Sequence, residues 1–127
     1  MTIPSHSRGA WAEHQVCVLL QRQGWRLVQR NWRCRWGELD LVMQKPGRLL
    51  LVEVKGRACG SRDGAGRAAL KAAKRQRLQR AWGCWLAAHP HWGKHRVEMV
   101  AALVALPPAQ RPIRWLRLEV GRDGSSG

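Results

Sequence analysis

Phenylalanine and tyrosine are missing from this chain of 127 residues, whose aromatic side chains are eight tryptophans. Acid is also scarce: 8 Asp and Glu stand against 23 Lys and Arg, which leaves a formal net charge of +15. A free-standing domain with that excess repels itself, and the usual reason to keep it is a polyanionic partner, nucleic acid first. No two of Cys17, Cys34, Cys59 and Cys84 have CxxC spacing. That excludes the usual zinc knuckles and predicts free thiols in a reducing cytosol. The longest apolar run, Val97–Leu106, contains Glu98 and is too short to cross a bilayer. The N-terminus has no charged-then-apolar signal pattern. These absences predict a cytoplasmic protein with no membrane partner.

With 45% apolar residues, the chain is long enough to bury roughly two thirds of its unfolded surface. One domain over residues 1–120 is expected, with 121–127 as a disordered tail. Apolar residues at helical spacing predict a helix over Gly9–Gln23 with Gly24 as its stop. Trp25–Trp32, Glu38–Gln44 and Arg48–Lys55 read as strands, the last two joined by the Lys45-Pro46-Gly47 turn. A loop rich in Gly and Arg spans Arg57–Gly66, followed by a second helix over Ala68–Ala88 and late strands at Val97–Leu106 and Ile113–Val120. The order α-β-β-β-α-β-β predicts an α/β fold: a mixed central sheet flanked by helices. His89, His91 and His95, with Cys84 nearby, read either as a metal site or as polar residues of a loop around Pro90 and Gly93.

Because acids are few, each needs an account. Asp63, Glu119 and Asp123 fall in loop or terminal stretches, whereas Glu13, Glu38, Asp40, Glu53 and Glu98 lie inside regular elements beside apolar residues. Glu13 precedes Val16, Cys17 and Leu20 by three, four and seven residues, on the stripe that should face the sheet. It is either a functional acid or a helix-start acid favoured by the dipole. In the hairpin, a turn centred on Pro46-Gly47 makes opposed residue numbers sum to 93. Asp40 then faces Glu53 and Glu38 faces Lys55, on one face, while Leu39, Leu41, Leu50, Val52 and Val54 take the other. Opposed carboxylates repel unless a divalent cation lies between them. Two carboxylates holding Mg²⁺ or Mn²⁺, with Lys55 to orient water or stabilise developing charge, suit phosphodiester hydrolysis.

At these residues the chain resembles a known group. Gly37-Glu38-Leu39-Asp40-Leu41-Val42 followed by Leu51-Val52-Glu53-Val54-Lys55-Gly56-Arg57 is similar to the PD-(D/E)XK nuclease superfamily. More closely, the chain resembles the YraN-like family of small bacterial proteins, which are similar to Holliday-junction resolvases. The match takes in Gly9 with Ala12-Glu13, Asn31 through Arg57, Lys74 to Leu78 and Arg96 to Val100. The resemblance implies a restriction-endonuclease-like core, with Asp40, Glu53 and Lys55 as catalytic group and Glu13 as an added acid. Asp40, Glu53 and Glu13 would be the metal ligands. Val97-Glu98 departs from the family pattern of an aromatic residue followed by Asp.

Lys74 falls on the packing stripe of the second helix, either reaching the active-site face or snorkelling at its edge. Lys71, Arg75 and Arg80 lie elsewhere on that helix, as phosphate contacts or solubilising charge. In Trp32-Arg33-Cys34-Arg35-Trp36, extension puts both Trp on one face and both Arg on the other, for base stacking or for core packing with Arg outward. Arg57, Arg62 and Arg67 follow the catalytic strand and are placed to grip a backbone. The function expected is a metal-dependent endonuclease, with DNA favoured over RNA and branched or structured DNA in view. A resolvase-like role implies a homodimer. The competing assignments are a non-catalytic nucleic-acid-binding module with a vestigial site and a protein-interaction adaptor. Intact Asp40, Glu53 and Lys55 speak against decay, and an adaptor leaves the charge unexplained.

Overall fold

The computed structural model describes residues 5–57 and 72–118, with side chains described from 8 in the first segment and from 73 in the second. Arg62, Arg67, Lys71, Cys59, Asp63, Glu119, Asp123 and the tail 121–127 lie outside the described residues. The elements are α1 (Ser5–Arg22), β1 (Arg26–Cys34), β2 (Gly37–Lys45), β3 (Arg48–Arg57), α2 (Ala72–Ala88), β4 (Arg96–Ala105) and β5 (Arg114–Arg117). The order along the chain is the predicted one. The five strands form one sheet in the order β1-β2-β3-β4-β5. Only β3 and β4 are parallel, with α2 in the crossover between them.

The helices cover opposite faces. Ala12, Val16, Cys17 and Leu20 of α1 pack on Leu41, Met43, Leu50, Val52, Ala102 and Val104. On the other face Leu78, Ala81, Trp82 and Trp85 of α2 meet Leu39, Val42, Leu49, Leu51, Met99 and Ala101. A central strand covered on both faces has no polar side, which is why β2 and β3 read as nearly continuous apolar runs. The same arrangement makes any acid in them conspicuous.

Gly24 ends α1 through a Schellman turn. Its φ is 95°, its N–H donates to Gln21 O at 3.1 Å, and Trp25 N–H donates to Leu20 O at 3.0 Å. Trp25 therefore belongs to the turn, and β1 begins one residue later than the sequence predicts. At the β2–β3 hairpin Lys45 pairs with Arg48 around Pro46-Gly47, Gly47 has φ 72°, and Leu41 pairs with Val52. The register is the predicted one. The late strand begins at Arg114 rather than Ile113, one residue later than expected and directly after the break at Pro112.

Two expectations need correction, and the histidines take the loop reading of the two open to them. α1 starts at Ser5 rather than Gly9, so Glu13 lies well inside the helix and cannot be a first-turn acid favoured by the dipole. Leu39 does not share a face with Leu41: it packs with α2, and Leu41 with α1. The alternation breaks at Asp40, opposite Asn31, which takes φ 51° between the pairs Arg30↔Leu41 and Trp32↔Leu39. Asparagine is among the few residues that tolerate this left-handed conformation. Finally, the histidines at 89, 91 and 95 form no metal cluster among the described residues. They meet tryptophan instead: His89 stacks on Trp85 at 4.3 Å, and His91 and His95 lie tilted against Trp92 at 5.1 Å and 4.8 Å.

Candidate active site

The break at Asp40 also opens the sheet. The β2–β3 ladder ends at Leu41↔Val52, whereas β3 stays paired with β4 as far as Arg57↔Ala105. Beyond that fork, Val54 N–H donates to Asp40 Oδ2 at 2.8 Å, so a carboxylate takes the bond that a β2 carbonyl would otherwise accept. Asp40 is thereby fixed between two strands, only 7% exposed, and Glu53 on the next strand is 8% exposed. They are the buried charged residues among those described.

Both line a cavity of about 500 Å³ that also takes in Glu13 from α1, Trp36, Gly37 and Glu38 from the β1–β2 hairpin, Lys55 from β3, and Lys74 and Arg77 from α2. Within it, carboxylate oxygens of Glu13, Glu38 and Asp40 all lie within 4.8 Å of one another. Glu53 does not join that trio. Its Oε1 is 3.1 Å from Lys74 Nζ and 3.7 Å from Lys55 Nζ. The cavity therefore has an acidic wall and a wall on which one acid is matched by two lysines.

Glu38 is the residue that sequence reasoning missed. The register placed it opposite Lys55, but the fork parts β2 from β3 there, and Glu38 pairs along the β1 ladder with Arg33, whose Nε donates to Glu38 Oε2 at 2.8 Å. The GluXAsp spacing of Glu38 and Asp40 carried the signal, since an extended strand puts alternate residues on one side.

Electrostatics follow from crowding. Burial, then the Glu53 charge, pushes the Asp40 carboxyl up to about 8, so metal-free Asp40 keeps its proton and shares it with Glu38. Burial would raise Glu38 too, but hydrogen bonds from Arg33 and Asp40 hold it below the usual carboxylate range. Glu13 is raised chiefly by burial, with the charges of Glu38 and Glu53 adding to it against a hydrogen bond from Asn31. On the other wall, burial and then the neighbouring Lys74 lower the Lys55 ammonium. Burial also disfavours the Lys74 ammonium, but its bond to Lys55 and the Glu53 charge raise it above the ordinary lysine range.

The fit to a divalent cation rests on donor chemistry: oxygens of three carboxylates converge within 4.8 Å. Hard cations such as Mg²⁺ take oxygen ligands of this kind.

The remaining expected contacts fall in different places. Lys74 reaches into the cavity from α2 and pairs there with Glu53. Arg33 is exposed and tied to Glu38. Arg35 lies over the Trp36 ring, 4.7 Å from its centroid. Trp32, Cys34 and Trp36 pack against the α2-side core, with Arg33 and Arg35 outward. Arg57 closes β3 and is half-buried, as is Arg75 on α2. Glu98 belongs to neither wall: it accepts from Arg48 at 2.9 Å and Arg117 at 3.2 Å, tying β3, β4 and β5 together. Cys17, Cys34 and Cys84 are free thiols. Among the described residues no helix is long and apolar enough to cross a membrane.

Residues 12–102 match the family model described as Uncharacterised protein family UPF0102. A UPF0102 protein of Prochlorococcus marinus (strain MIT 9303) is 49% identical over 115 residues, covering 91% of each chain. One from Synechococcus sp. (strain CC9902) is 50% identical over 111 residues, 87% of this chain and 92% of the relative. A more distant one, from Pseudomonas putida (strain GB-1), is 41% identical over 110 residues, 86% of this chain and 89% of its own length.

Proposed function

The chain belongs to the UPF0102 family, the YraN family that its motifs resemble, and we propose that it is a divalent-metal-dependent endonuclease acting on DNA in the cytoplasm. One observation carries the proposal: a buried Asp40, held at a fork in the sheet, meets Glu13 and Glu38 on one side of a cavity whose other side presents Glu53 and Lys55.

Glu13, Glu38 and Asp40 would hold Mg²⁺ or Mn²⁺, with Glu53 as a further acid at the edge of the site. A cation held there would supply a lowered pKa of its bound water and neutralise charge on phosphoryl oxygens. Lys55, beside Glu53, would orient the attacking water or stabilise charge as it develops. Lys74 keeps its charge beside Glu53, where it orients that carboxylate and offers a cation to the phosphate. Arg35, exposed beside Trp36, would supply a backbone contact, and the charge of +15 would supply attraction without sequence reading. Branched or structured DNA, cut by two copies of the chain, is the substrate class that the resolvase resemblance favours.

The test is strand cleavage of linear and branched DNA with Mg²⁺ or Mn²⁺, against Lys55→Ala as control. Metal-dependent cutting that the variant lacks supports the assignment. Tight binding with no cutting under any metal would leave a binding module with an idle site.

A further inference from the structure

The opening of the cavity carries a feature that phosphodiester hydrolysis does not require. Trp36 lines the same cavity as Asp40 and Glu53. Two guanidiniums converge on its ring: Arg35 at 4.7 Å and Arg80 of α2 at 4.6 Å from the centroid. The other exposed arginines with described ion pairs, Arg33, Arg48 and Arg117, are each matched to Glu38 or Glu98. Arg35 and Arg80 have no carboxylate partner among the described residues. Two like charges brought together over one indole repel each other, and a cation–π contact at an exposed site is weak compensation.

That grouping is what an unpaired nucleotide would use. An indole face offers stacking to any base, and the two arginines can exchange the ring for flanking phosphates. In a continuous duplex both faces of each base are covered by its neighbours. The partner of Trp36 must therefore be a terminal, flipped-out or single-stranded base.

We propose that Trp36, with Arg35 and Arg80, is a stacking subsite for an unpaired base beside the scissile phosphate, so that the preferred substrate, branched or linear, is one that presents unpaired bases. It rests on the nuclease assignment of the neighbouring cavity and gives that site its substrate class. Trp36 is fixed on the hairpin between β1 and β2, packed below against the α2-side core and tethered by its N–H to Cys34 Sγ at 3.4 Å. Its base partner would thus lie at a set distance from Asp40.

The experiment is binding in chelator, where no strand is cut, at one salt concentration. Labelled oligonucleotides of equal length supply the arms: blunt duplex, duplex with an unpaired end, single-stranded DNA and single-stranded RNA. The proteins are wild type, Trp36→Leu, Trp36→Phe and the double variant Arg35→Gln with Arg80→Gln, each checked by its melting temperature. Wild type should prefer the unpaired arms. Trp36→Leu should weaken those arms roughly 5- to 150-fold, the range of one base stack removed, and leave blunt duplex unchanged. Trp36→Phe, which keeps a π-face, should recover most of the preference. The double variant removes no core-packing side chain, and its salt slope on single strands should fall by about 0.7 for each phosphate it no longer neutralises.

A folded Trp36→Leu that weakens all arms equally, or none, overturns the subsite. If that variant does not fold, an unchanged salt slope in the double variant overturns it instead. A wild type that binds no nucleic acid overturns both the subsite and the nuclease assignment. Loss of the unpaired-arm preference in Trp36→Leu supports the subsite even if the wild type cuts nothing with metal, an outcome that removes the nuclease assignment alone.

Discussion

Asp40 is the residue whose chemistry differs most from its surroundings, and its titration has a definite sign. An ordinary aspartate loses its proton near 3.8, but in the folded metal-free protein Asp40 keeps it to about 8. Between those values the unfolded chain has released a proton that the folded chain retains. Stability must therefore fall as pH rises through the window, by up to ~1.4 kcal/mol per pH unit. Replacing Asp40 with asparagine removes the charge and keeps an oxygen for the Val54 N–H. We expect metal-free Asp40→Asn to melt at or above the wild-type temperature at pH 7.5, and its stability to vary less between pH 5 and 8. A cation competes with the same proton, so Mn²⁺ should raise the wild-type melting point more at pH 8 than at pH 6, and the variant very little. Melts with chelator and with Mn²⁺ at both pH values check this. A variant melting lower in chelator, with a wild type indifferent to Mn²⁺, would make the acids scaffolding. Lys55 is half-buried at the rim, and its truncation leaves little cavity. Lys55→Ala should abolish cleavage with duplex affinity and melting point near wild type. Cutting at the wild-type rate by clean variant protein would sink its catalytic role.

At the scale of elements, the site depends on where two ladders stop. Asn31 in its left-handed conformation and the fork after Leu41↔Val52 together release the Asp40 carboxylate from the sheet. Asn31→Val should therefore do more harm than an exposed substitution usually does. A β-branched residue disfavours positive φ, and the hydrogen bond to Glu13 disappears as well. The expected cost is roughly 1–3 kcal/mol in metal-free melts, with weaker Mn²⁺ stabilisation beyond that. Asn31→Gly, which keeps the backbone freedom, should retain more of both. Equal behaviour of the two variants would count against the break as the device that sets the site. At the end of α1, a methyl group added to Gly24 at φ 95° would meet only Lys45 Cε, at 3.6 Å. The cost of Gly24→Ala is then conformational, about 1 kcal/mol, and should appear as a lower melting point with unchanged nucleic-acid affinity.

Over the whole molecule, charge dominates. With +15 and no base-reading motif, log affinity for duplex should fall linearly with log salt, at about −0.9 per phosphate neutralised. Arg35→Ala and Arg75→Ala should each flatten that slope. Arg33→Ala should do less, because Arg33 already neutralises Glu38. A slope near zero would be incompatible with nucleic acid as the partner.

The periodicity of apolar residues, the turn at Pro46-Gly47 and the glycine stop at Gly24 depend on local geometry, which is why helices, strands and the hairpin register were legible from the sequence by itself. The scarcity of acid likewise drew attention to Glu13, Asp40 and Glu53. What only the tertiary structure decided is how those acids group. The break in alternation at Asp40 arises from β1 lying across from it, and the parting of β2 from β3 cannot be read from either strand alone. Those two events give Glu38 to Arg33 rather than Lys55 and leave Glu53 to Lys74 rather than Asp40, an exchange of partners that the hairpin register does not predict. Carboxylate positions differing by a few ångströms separate a cation site from an ion pair, and distances of that size are set by strands and helices far apart in the chain.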